Sequence, residues 1–365
     1  MTSPHCKLQG RTLSVFLLVF TALGAEHDQV PKIVWSFWND HSSLPKTVRF
    51  AQASWQHFAP GYDIRFLDSE TWKAHVGAGV VQCSGVSPSA GDYRFADWLR
   101  LTLLADHGGI WLDSSIVLTP PLDLLVNRTA QLSGVHLEDV LFETYFIAST
   151  RKGKIISRWR EEYVRICGLS QDDFEVYLGG LKGAGIEPLN GHFADCDWRD
   201  KSWGHVMVDR VIHAAADLTN MLVKYTGHYM HPCGEHYWMH YLRINVALNS
   251  VLGTSGKSLQ LHSLDKHGIS VADTLQTLSA VSVQNGWNNT RIAHFLVAPE
   301  SNSFDVESIH AMKWRSGERR SLDAFDSCAE GSVICRLQRV IGGNLYKETP
   351  LEGESLSAPP ERHEL

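Results

Sequence analysis

The sequence lacks the motifs that most readily identify an NTPase, a dinucleotide-dependent enzyme or a serine hydrolase. It has no P-loop, no dinucleotide-binding glycine fingerprint and no G-x-S-x-G nucleophile elbow. It also lacks an excess of basic residues, since 33 Lys and Arg stand against 40 Asp and Glu. Nucleic-acid binding needs a basic surface, so it is disfavoured as the main function. No internal repeat is found, which disfavours a solenoid architecture.

Long apolar runs are missing as well, apart from one short run near the start. Lys7 and Arg11 precede the apolar stretch Leu13–Phe20, and small and then polar residues follow it. This order is typical of a secretory signal peptide, and the run is shorter than the roughly 20 residues of a membrane-spanning helix. We therefore predict a signal peptide over residues 1–25, with an uncleaved signal anchor as the alternative. The expected location is the lumen of the ER or Golgi, or outside the cell.

Cysteines and sequons are consistent with such a compartment. Of the seven cysteines, one lies in the predicted leader, and the other six are available for disulfides in an oxidising environment. Cys328 and Cys335 form the easiest local pair, and the remaining pairing stays open, with buried free thiols as the alternative. Asn127 and Asn288 each begin an N-x-S/T sequon.

The full 365-residue sequence has an ordinary globular composition, with 44% hydrophobic and 20% charged residues. Strand-like and helix-like segments alternate, which predicts an α/β fold with a mainly parallel sheet and helical additions in the C-terminal half. We expect one domain over 30–345 and a disordered tail over 350–365. Predicted strands are 32–37, 62–67, 110–112 continued by 116–118, and 140–148. Predicted helices are 45–57, one from about 69, 93–107, 154–166, 203–225 and 235–248, with a loop over 179–200.

The densest chemical signal lies between residues 96 and 115. Asp97 and Arg100 are three residues apart on a predicted helix and therefore share a face. Gly108 and Gly109 allow a tight turn, after which Asp113 ends a short apolar strand. Ligands of open α/β sheets bind at the carboxyl ends of strands, so these charges could converge on one crevice. The alternative is a helix-surface ion pair followed by an aspartate turn.

Together these residues closely resemble the D-x-x-R…G-G-x-x-x-D-x-D block of glycosyltransferases that carry a DXD sugar-binding region. The form G-G-I-W-L-D-S-S, ending at Ser115, is nearest to the capsular polysaccharide synthesis branch. The resemblance covers about residues 30–316. Further similar segments are Pro31–Trp38, Tyr145–Ser149 followed by Lys152-Gly153, Tyr237–Tyr241 and His310–Trp314.

The resemblance implies a GT-A-like nucleotide-binding α/β sandwich and a hexosyltransferase activity. The partners would be a nucleotide-sugar donor and a glycan or other hydroxyl acceptor, with a weakly bound Mn²⁺ or Mg²⁺ as cofactor. Ser115 replaces the second carboxylate of D-x-D, and a hydroxyl binds a divalent cation more weakly than a carboxylate. The implied roles are metal binding for Asp113 and Ser115, donor-sugar binding for Asp97 and Arg100, base stacking for Trp38, phosphate binding for Lys313, and donor or acceptor binding for His240, which could also be a core histidine.

Two other functions stay open at this stage. The first is a non-catalytic sugar- or nucleotide-binding relative, because Ser115 makes the D-x-D motif degenerate. The second is a metal-dependent hydrolase built on the histidines between 228 and 240. Tyr237 stands where H-E-x-x-H would need glutamate, which disfavours the second function. Asp195-Cys196-Asp197 is interpreted as a solvated loop rather than a cation site.

Overall fold

A computed structural model describes residues 29–89, 92–137, 141–186, 242–253, 269–273, 289–304, 311–314 and 316–350. The strands are β1 (Ile33–Phe37), β2 (Asp63–Leu67), β3 (Gly109–Leu112), β4 (Ile116–Leu118), β5 (Leu132–Leu137), β6 (Leu141–Ser149), β7 (Ile269–Asp273), β8 (Ala311–Lys313), β9 (Ser327–Ala329) and β10 (Lys347–Thr349). The helices are α1 (Lys46–Phe58), α2 (Tyr93–His107), α3 (Lys154–Ile166), α4 (Gln171–Gly183), α5 (Arg243–Leu252), α6 (Asn289–Val297), α7 (Ser316–Asp323) and α8 (Val333–Ile341).

A six-stranded sheet in the order β2-β1-β3-β6-β5-β7 forms the centre of the molecule. The pairs β1–β2, β1–β3 and β5–β7 are parallel, whereas β6 runs antiparallel to both of its neighbours. Five of the six strands therefore run in the same direction, which confirms the predicted mainly parallel sheet, and β6 is the antiparallel exception. The physical reason is that β6 follows β5 in the chain without a crossover helix, which parallel pairing would require.

Helices cover both faces of this sheet, so the predicted α/β class is confirmed. Alternate strand residues point to opposite faces. On one face, Trp35 and Trp111 are buried with apolar residues of α2, α3 and α5. On the other face, Val34 and Ile110 are buried with apolar residues of α1, α6 and α8. Within the residues described above, no helix has the length and apolarity to cross a membrane.

Most of the predicted elements before residue 170 are confirmed within one or two residues. The helix over 93–107 begins and ends as predicted, with Asp92 as its N-cap and Gly108 as its C-cap. The helix predicted for 45–57 starts after Pro45 and extends to Phe58. The predicted strand 140–148 is β6, displaced by one residue.

Three predictions of secondary structure are wrong. The segment 116–118 does not continue β3, because β4 leaves the main sheet and pairs with β8. The helix expected from residue 69 is only a 3-10 turn over Thr71–Ala74. The loop predicted from residue 179 begins too early, because α4 extends to Gly183. Ser170 caps α4 by accepting a hydrogen bond from the backbone N–H of Asp173, a signal that was available in the sequence.

Two disulfides are present among the described cysteines. Cys328–Cys335 confirms the predicted local pair. Cys83–Cys167 joins the loop before α2 to the end of α3, and the two cysteines are 84 positions apart in sequence. The leader, the tail after residue 350, the helix predicted for 203–225 and most of the helix predicted for 235–248 lie outside the described residues.

Candidate active site

The carboxyl end of β3 carries Asp113, and two glycines determine how the chain reaches it. Gly108 and Gly109 have φ angles of +68° and +103°, which residues with a side chain rarely adopt. A Cβ on Gly109 would lie 2.6 Å from the carbonyl oxygen of Ile33. The chain can therefore pass from α2 directly into β3 beside β1. At the far end of β3, the backbone N–H of Asp113 donates to the carbonyl oxygen of Tyr145 in β6 at 2.9 Å.

Arg100 on α2 connects the two acids of the predicted motif. Its Nη2 lies 3.2 Å from an Oδ1 of Asp97 and 3.2 Å from an Oδ1 of Asp113. Its Nη1 donates to the carbonyl oxygen of Thr144 at 2.6 Å, and its guanidinium lies 5.2 Å from the ring centre of Trp111. One planar fork thus holds two carboxylates and a strand carbonyl, which a lysine ammonium could not do in the same geometry.

Asp97 is the most enclosed member of the group. Its exposed fraction is 5%, and the hydroxyl of buried Tyr163 donates to its Oδ2 at 3.5 Å. Burial raises the pKa of Asp97 to about 6, against the opposing attraction of Arg100. An acid with this pKa changes its charge within the range of ordinary assay buffers. Asp97 can therefore act on the site by controlling how firmly Arg100 is held.

Lys313 reaches Asp113 from a distant part of the sequence. The antiparallel pairing of β4 with β8 aligns Ile116 with Lys313, just beyond Asp113 in the chain. The ammonium of Lys313 lies 2.5 Å from Oδ2 of Asp113 and 5.4 Å from the ring centre of Tyr145. Both charged side chains retain some exposure, 22% for Lys313 and 23% for Asp113. Burial opposes ionisation of Asp113, but Lys313 and Arg100 outweigh it and hold the pKa of this carboxyl below its usual range.

Trp38 stands at the carboxyl end of β1, the strand adjacent to β3. The register aligns Trp35 with Trp111. Trp38, three residues after Trp35, therefore lies level with the residues that follow β3. Trp38 is half-buried, and the guanidinium of Arg319 on α7 lies 4.5 Å from its ring centre. The site thus has an aromatic side and an ionic side at one edge of the sheet.

The structure therefore brings Asp97, Arg100, Asp113 and Lys313 into one chain of ion pairs. Ser115 lies two residues beyond Asp113, is 5% exposed, and its carbonyl oxygen accepts a hydrogen bond from Trp314 at 3.1 Å. His240 lies outside the described residues, as do the other histidines of its cluster and Asp195-Cys196-Asp197. The individual roles in donor binding stay predictions.

Sequence reasoning missed three side chains that complete the site. Trp111 donates its indole N–H to Oδ1 of Asp113 at 2.8 Å. Tyr163 contacts Asp97, and Arg319 packs on Trp38. Trp111 lies inside the G-G-I-W-L-D-S-S block and could have been included, since a buried indole N–H needs an acceptor. No pattern near Tyr163 or Arg319 indicates a role, because both depend on tertiary packing.

The donor set around Asp113 does not fit a tightly held divalent cation. Its two oxygens already accept hydrogen bonds from Trp111, Arg100 and Lys313, and two of these partners are cationic. Among the residues that the structure describes, no group of three or more His, Cys, Asp or Glu side chains could hold a metal ion. Mg²⁺ and Mn²⁺ prefer several oxygen ligands. The weak, exchangeable binding predicted for Asp113 and Ser115 stays a prediction.

Comparisons with known proteins agree with this picture for the first part of the chain. Residues 11–167 match the model of a family described as "Capsular polysaccharide synthesis protein". No curated protein matches the chain. One solved structure with similarity is described as "PaToxG Glycosyltransferase". It is 12% identical, with a TM-score of 0.28, and the match covers 61% of this chain and 87% of that chain. At this TM-score the likeness adds nothing to the fold assignment.

The family match includes Trp38, Asp97, Arg100, Asp113 and Ser115, whereas Lys313 lies beyond it. The similarity predicted for the late segments up to residue 316 therefore remains a prediction. The predicted resemblance to the capsular polysaccharide synthesis family is confirmed over residues 11–167.

Proposed function

We propose that this protein is a glycosyltransferase that moves a sugar from a nucleotide-sugar donor to a hydroxyl group of a glycan or other acceptor. The observation that carries the proposal is the chain of ion pairs from Lys313 through Asp113 and Arg100 to Asp97. It lies at the carboxyl end of β3, and the half-buried ring of Trp38 follows the adjacent strand β1. Ligands of open α/β sheets bind at this edge. The match of residues 11–167 to a polysaccharide synthesis family supports the same conclusion.

Each side of the site offers what one part of a nucleotide sugar needs. The ring of Trp38 can stack on a nucleobase, because every base has a π-face. The ammonium of Lys313 provides a positive charge for the diphosphate. Asp97 and Arg100 are predicted to orient the sugar. Arg100 also contacts Asp113, and Asp97 contacts Arg100, so this pair supports the position of Asp113 as well.

The reaction breaks the bond between the anomeric carbon and the diphosphate oxygen, and the bonding electrons leave with the diphosphate. The acceptor oxygen forms the new bond to the anomeric carbon and loses its proton. Negative charge therefore accumulates on the leaving diphosphate in the transition state. Preorganised cations aimed at such a charge are a major source of catalysis. We propose this role for Lys313, whose ammonium is accepted by Asp113 alone among the described side chains.

We also propose that the protein works in the lumen of the secretory pathway. The predicted leader supports this location, and so do the two disulfides, which are typical of oxidising compartments. Asn127 is exposed in a turn, where its side chain accepts hydrogen bonds from Thr129 of the same sequon. An Asn127→Gln variant made in eukaryotic cells should lose one glycan and migrate faster. An unchanged migration would contradict use of this sequon.

A non-catalytic relative is the second candidate function, favoured by Ser115 in place of the second D-x-D carboxylate. A panel of nucleotide sugars distinguishes the two functions. A glycosyltransferase should release a nucleoside diphosphate from at least one donor, slowly to water and faster with an acceptor. Asp113→Asn should abolish this release. Binding without release in the presence of varied acceptors would favour the non-catalytic relative.

A further inference from the structure

Arg319 is a cation near the site that has no role in the chemistry proposed above. It lies on α7, and its guanidinium is packed 4.5 Å from the ring centre of Trp38. Within the part of the chain that the structure describes, the Arg319 guanidinium donates no hydrogen bond. The planar fork is therefore positioned by its stacking and keeps its N–H groups for another partner.

Its surroundings explain why this arginine is not simply half of a surface ion pair. The carboxylate one turn further along α7, Asp323, accepts hydrogen bonds from the backbone N–H and the hydroxyl of Thr47, at 2.8 and 3.2 Å. Asp323 therefore caps the first turn of α1 instead of binding the guanidinium. Burial lowers the pKa of Arg319, while the negative charges of Asp323 and Asp113 oppose this shift. Arg319 thus lies within the electrostatic reach of Asp113.

A half-buried arginine between a stacking ring and an anionic site matches a defined part of the ligand. A nucleoside diphosphate places its two phosphates next to its nucleoside, one pentose away from the stacked base. Trp38 would hold the base and Lys313 the sugar-side phosphate. Arg319 packs on Trp38 and lies on α7, the helix that follows the strand of Lys313 in the chain. We therefore expect Arg319 between these two residues, next to the nucleoside-side phosphate. Arginine binds phosphate bidentately, so it also fixes the orientation of the group.

We propose that Arg319 binds the nucleoside-side phosphate of the donor, with Trp38 holding its guanidinium in place. The inference rests on the proposed glycosyltransferase function, because it assumes that a nucleoside diphosphate occupies the site. Arg319 and Lys313 would then each bind one phosphate of the diphosphate. Binding of both phosphates would favour nucleoside diphosphates over monophosphates and free nucleosides.

The experiment measures binding of UDP, GDP, ADP and CDP, and of the matching nucleosides, by calorimetry or ligand-observed NMR. The proteins are the wild-type chain, Arg319→Gln, and Arg320→Gln as a control on an exposed position of the same helix. Arg319→Gln should weaken the diphosphate that binds wild type by roughly 10- to 100-fold, as expected for loss of a charged hydrogen bond. It should change binding of the matching nucleoside by less than about threefold. Arg320→Gln should resemble wild type.

The outcomes separate the two claims. If wild type binds no nucleoside diphosphate, the proposed function fails, and the role of Arg319 fails with it. If wild type binds a diphosphate and Arg319→Gln binds it equally well, only the role of Arg319 is wrong. Equal weakening of nucleoside and diphosphate would also overturn it, because Arg319 would then act on the base through Trp38. Arg319→Lys, which keeps the charge without the fork, should fall between the two proteins and excludes misfolding as the cause.

Discussion

Arg100 offers the most informative single substitution, because one guanidinium holds together three parts of the site. It joins Asp97 to Asp113 and anchors both to the carbonyl oxygen of Thr144 on β6. Arg100→Ala removes all these contacts at once. Asp97, which is 5% exposed, then loses its only described cationic partner. Arg100→Lys restores the positive charge but replaces the planar fork by a single ammonium.

The expected magnitudes follow from this geometry. Breaking a buried ion pair by removing one partner costs about 3–5 kcal/mol, so Arg100→Ala should lose this much unfolding free energy at pH 7. Losing a charged hydrogen bond costs about 1.5–3 kcal/mol, which is the loss expected for Arg100→Lys. Arg100 lowers the pKa of Asp97, so Asp97 protonates more readily without it. The destabilisation of Arg100→Ala should therefore shrink as the pH falls.

The assay combines urea unfolding at pH 7 and pH 5 with initial rates of nucleoside diphosphate release. Arg160→Ala is the matched control, because Arg160 pairs with Asp106 of the same helix α2 at 2.6 Å but both side chains are partly exposed. An exposed pair contributes about 0–1 kcal/mol. The activity of Arg100→Lys should fall roughly 10- to 100-fold, in line with its lost interaction energy. Wild-type stability and activity in Arg100→Lys would refute the bridging role of the fork.

Three further predictions concern the same site. Because the pKa of Asp97 is raised from 3.8 to about 6 in the folded protein, its contribution to the free energy of unfolding should decline as the pH rises through this interval. Activity should fall as the pH drops below about 6, which gives the pH profile an acidic limb. Tyr163→Phe should move that limb to higher pH, since the hydroxyl lowers the pKa of Asp97; an unmoved limb would contradict the assignment. Gly109→Ala should cost about 1–3 kcal/mol in urea unfolding, because its φ is +103° and the new Cβ would meet a strand carbonyl. Gly179→Ala, where a helical Cβ meets nothing within 4 Å, should be neutral or stabilising; equal effects would refute the steric argument. Lys313→Gln should tighten Mn²⁺ binding measured by paramagnetic resonance, because it frees an oxygen of the site carboxylate; unchanged affinity would show that lysine and metal do not compete.

The local parts of the site could be predicted from the sequence. Asp97 and Arg100 share a helix face because their spacing is three residues, and the Gly-Gly turn follows from the end of the same helix. The short apolar strand then places Asp113 at the edge of the sheet. All of these residues are close to one another in sequence. Contacts between residues that are close in sequence depend on helix periodicity and turn residues, and both can be read from a single sequence.

The distant parts of the site could not be derived in the same way. Lys313 reaches Asp113 only because β8 pairs with β4, and the sequence indicated β4 as a continuation of β3. Lys313 was therefore identified through resemblance alone. Arg319 is placed by the packing of α7, and no local pattern distinguishes it from its neighbour Arg320. Strand register and helix packing at this separation depend on the whole core.

Two elements were missed because glycine weakens their local signal. Gly134 lies inside β5, and a Cβ there would be 2.2 Å from the ring of Phe142 on β6. The strand needs glycine at that position, although glycine has a low strand propensity. In α4, Gly179 and Gly180 face open space, so the helix tolerates them at a cost that its N-cap and buried Phe174 offset. In both elements tertiary packing outweighs propensity.

The central claim is that the Lys313–Asp113–Arg100–Asp97 chain supports transfer from a nucleotide sugar. The most direct measurement is release of nucleoside diphosphate from a donor panel by the wild-type chain and by Asp113→Asn, with circular dichroism to confirm that both are folded. We expect wild type to release nucleoside diphosphate from at least one donor, a hydroxyl acceptor to stimulate this release, and Asp113→Asn to lose it. Release at an equal rate by folded Asp113→Asn, or no release and no nucleotide binding by wild type, would contradict the central claim.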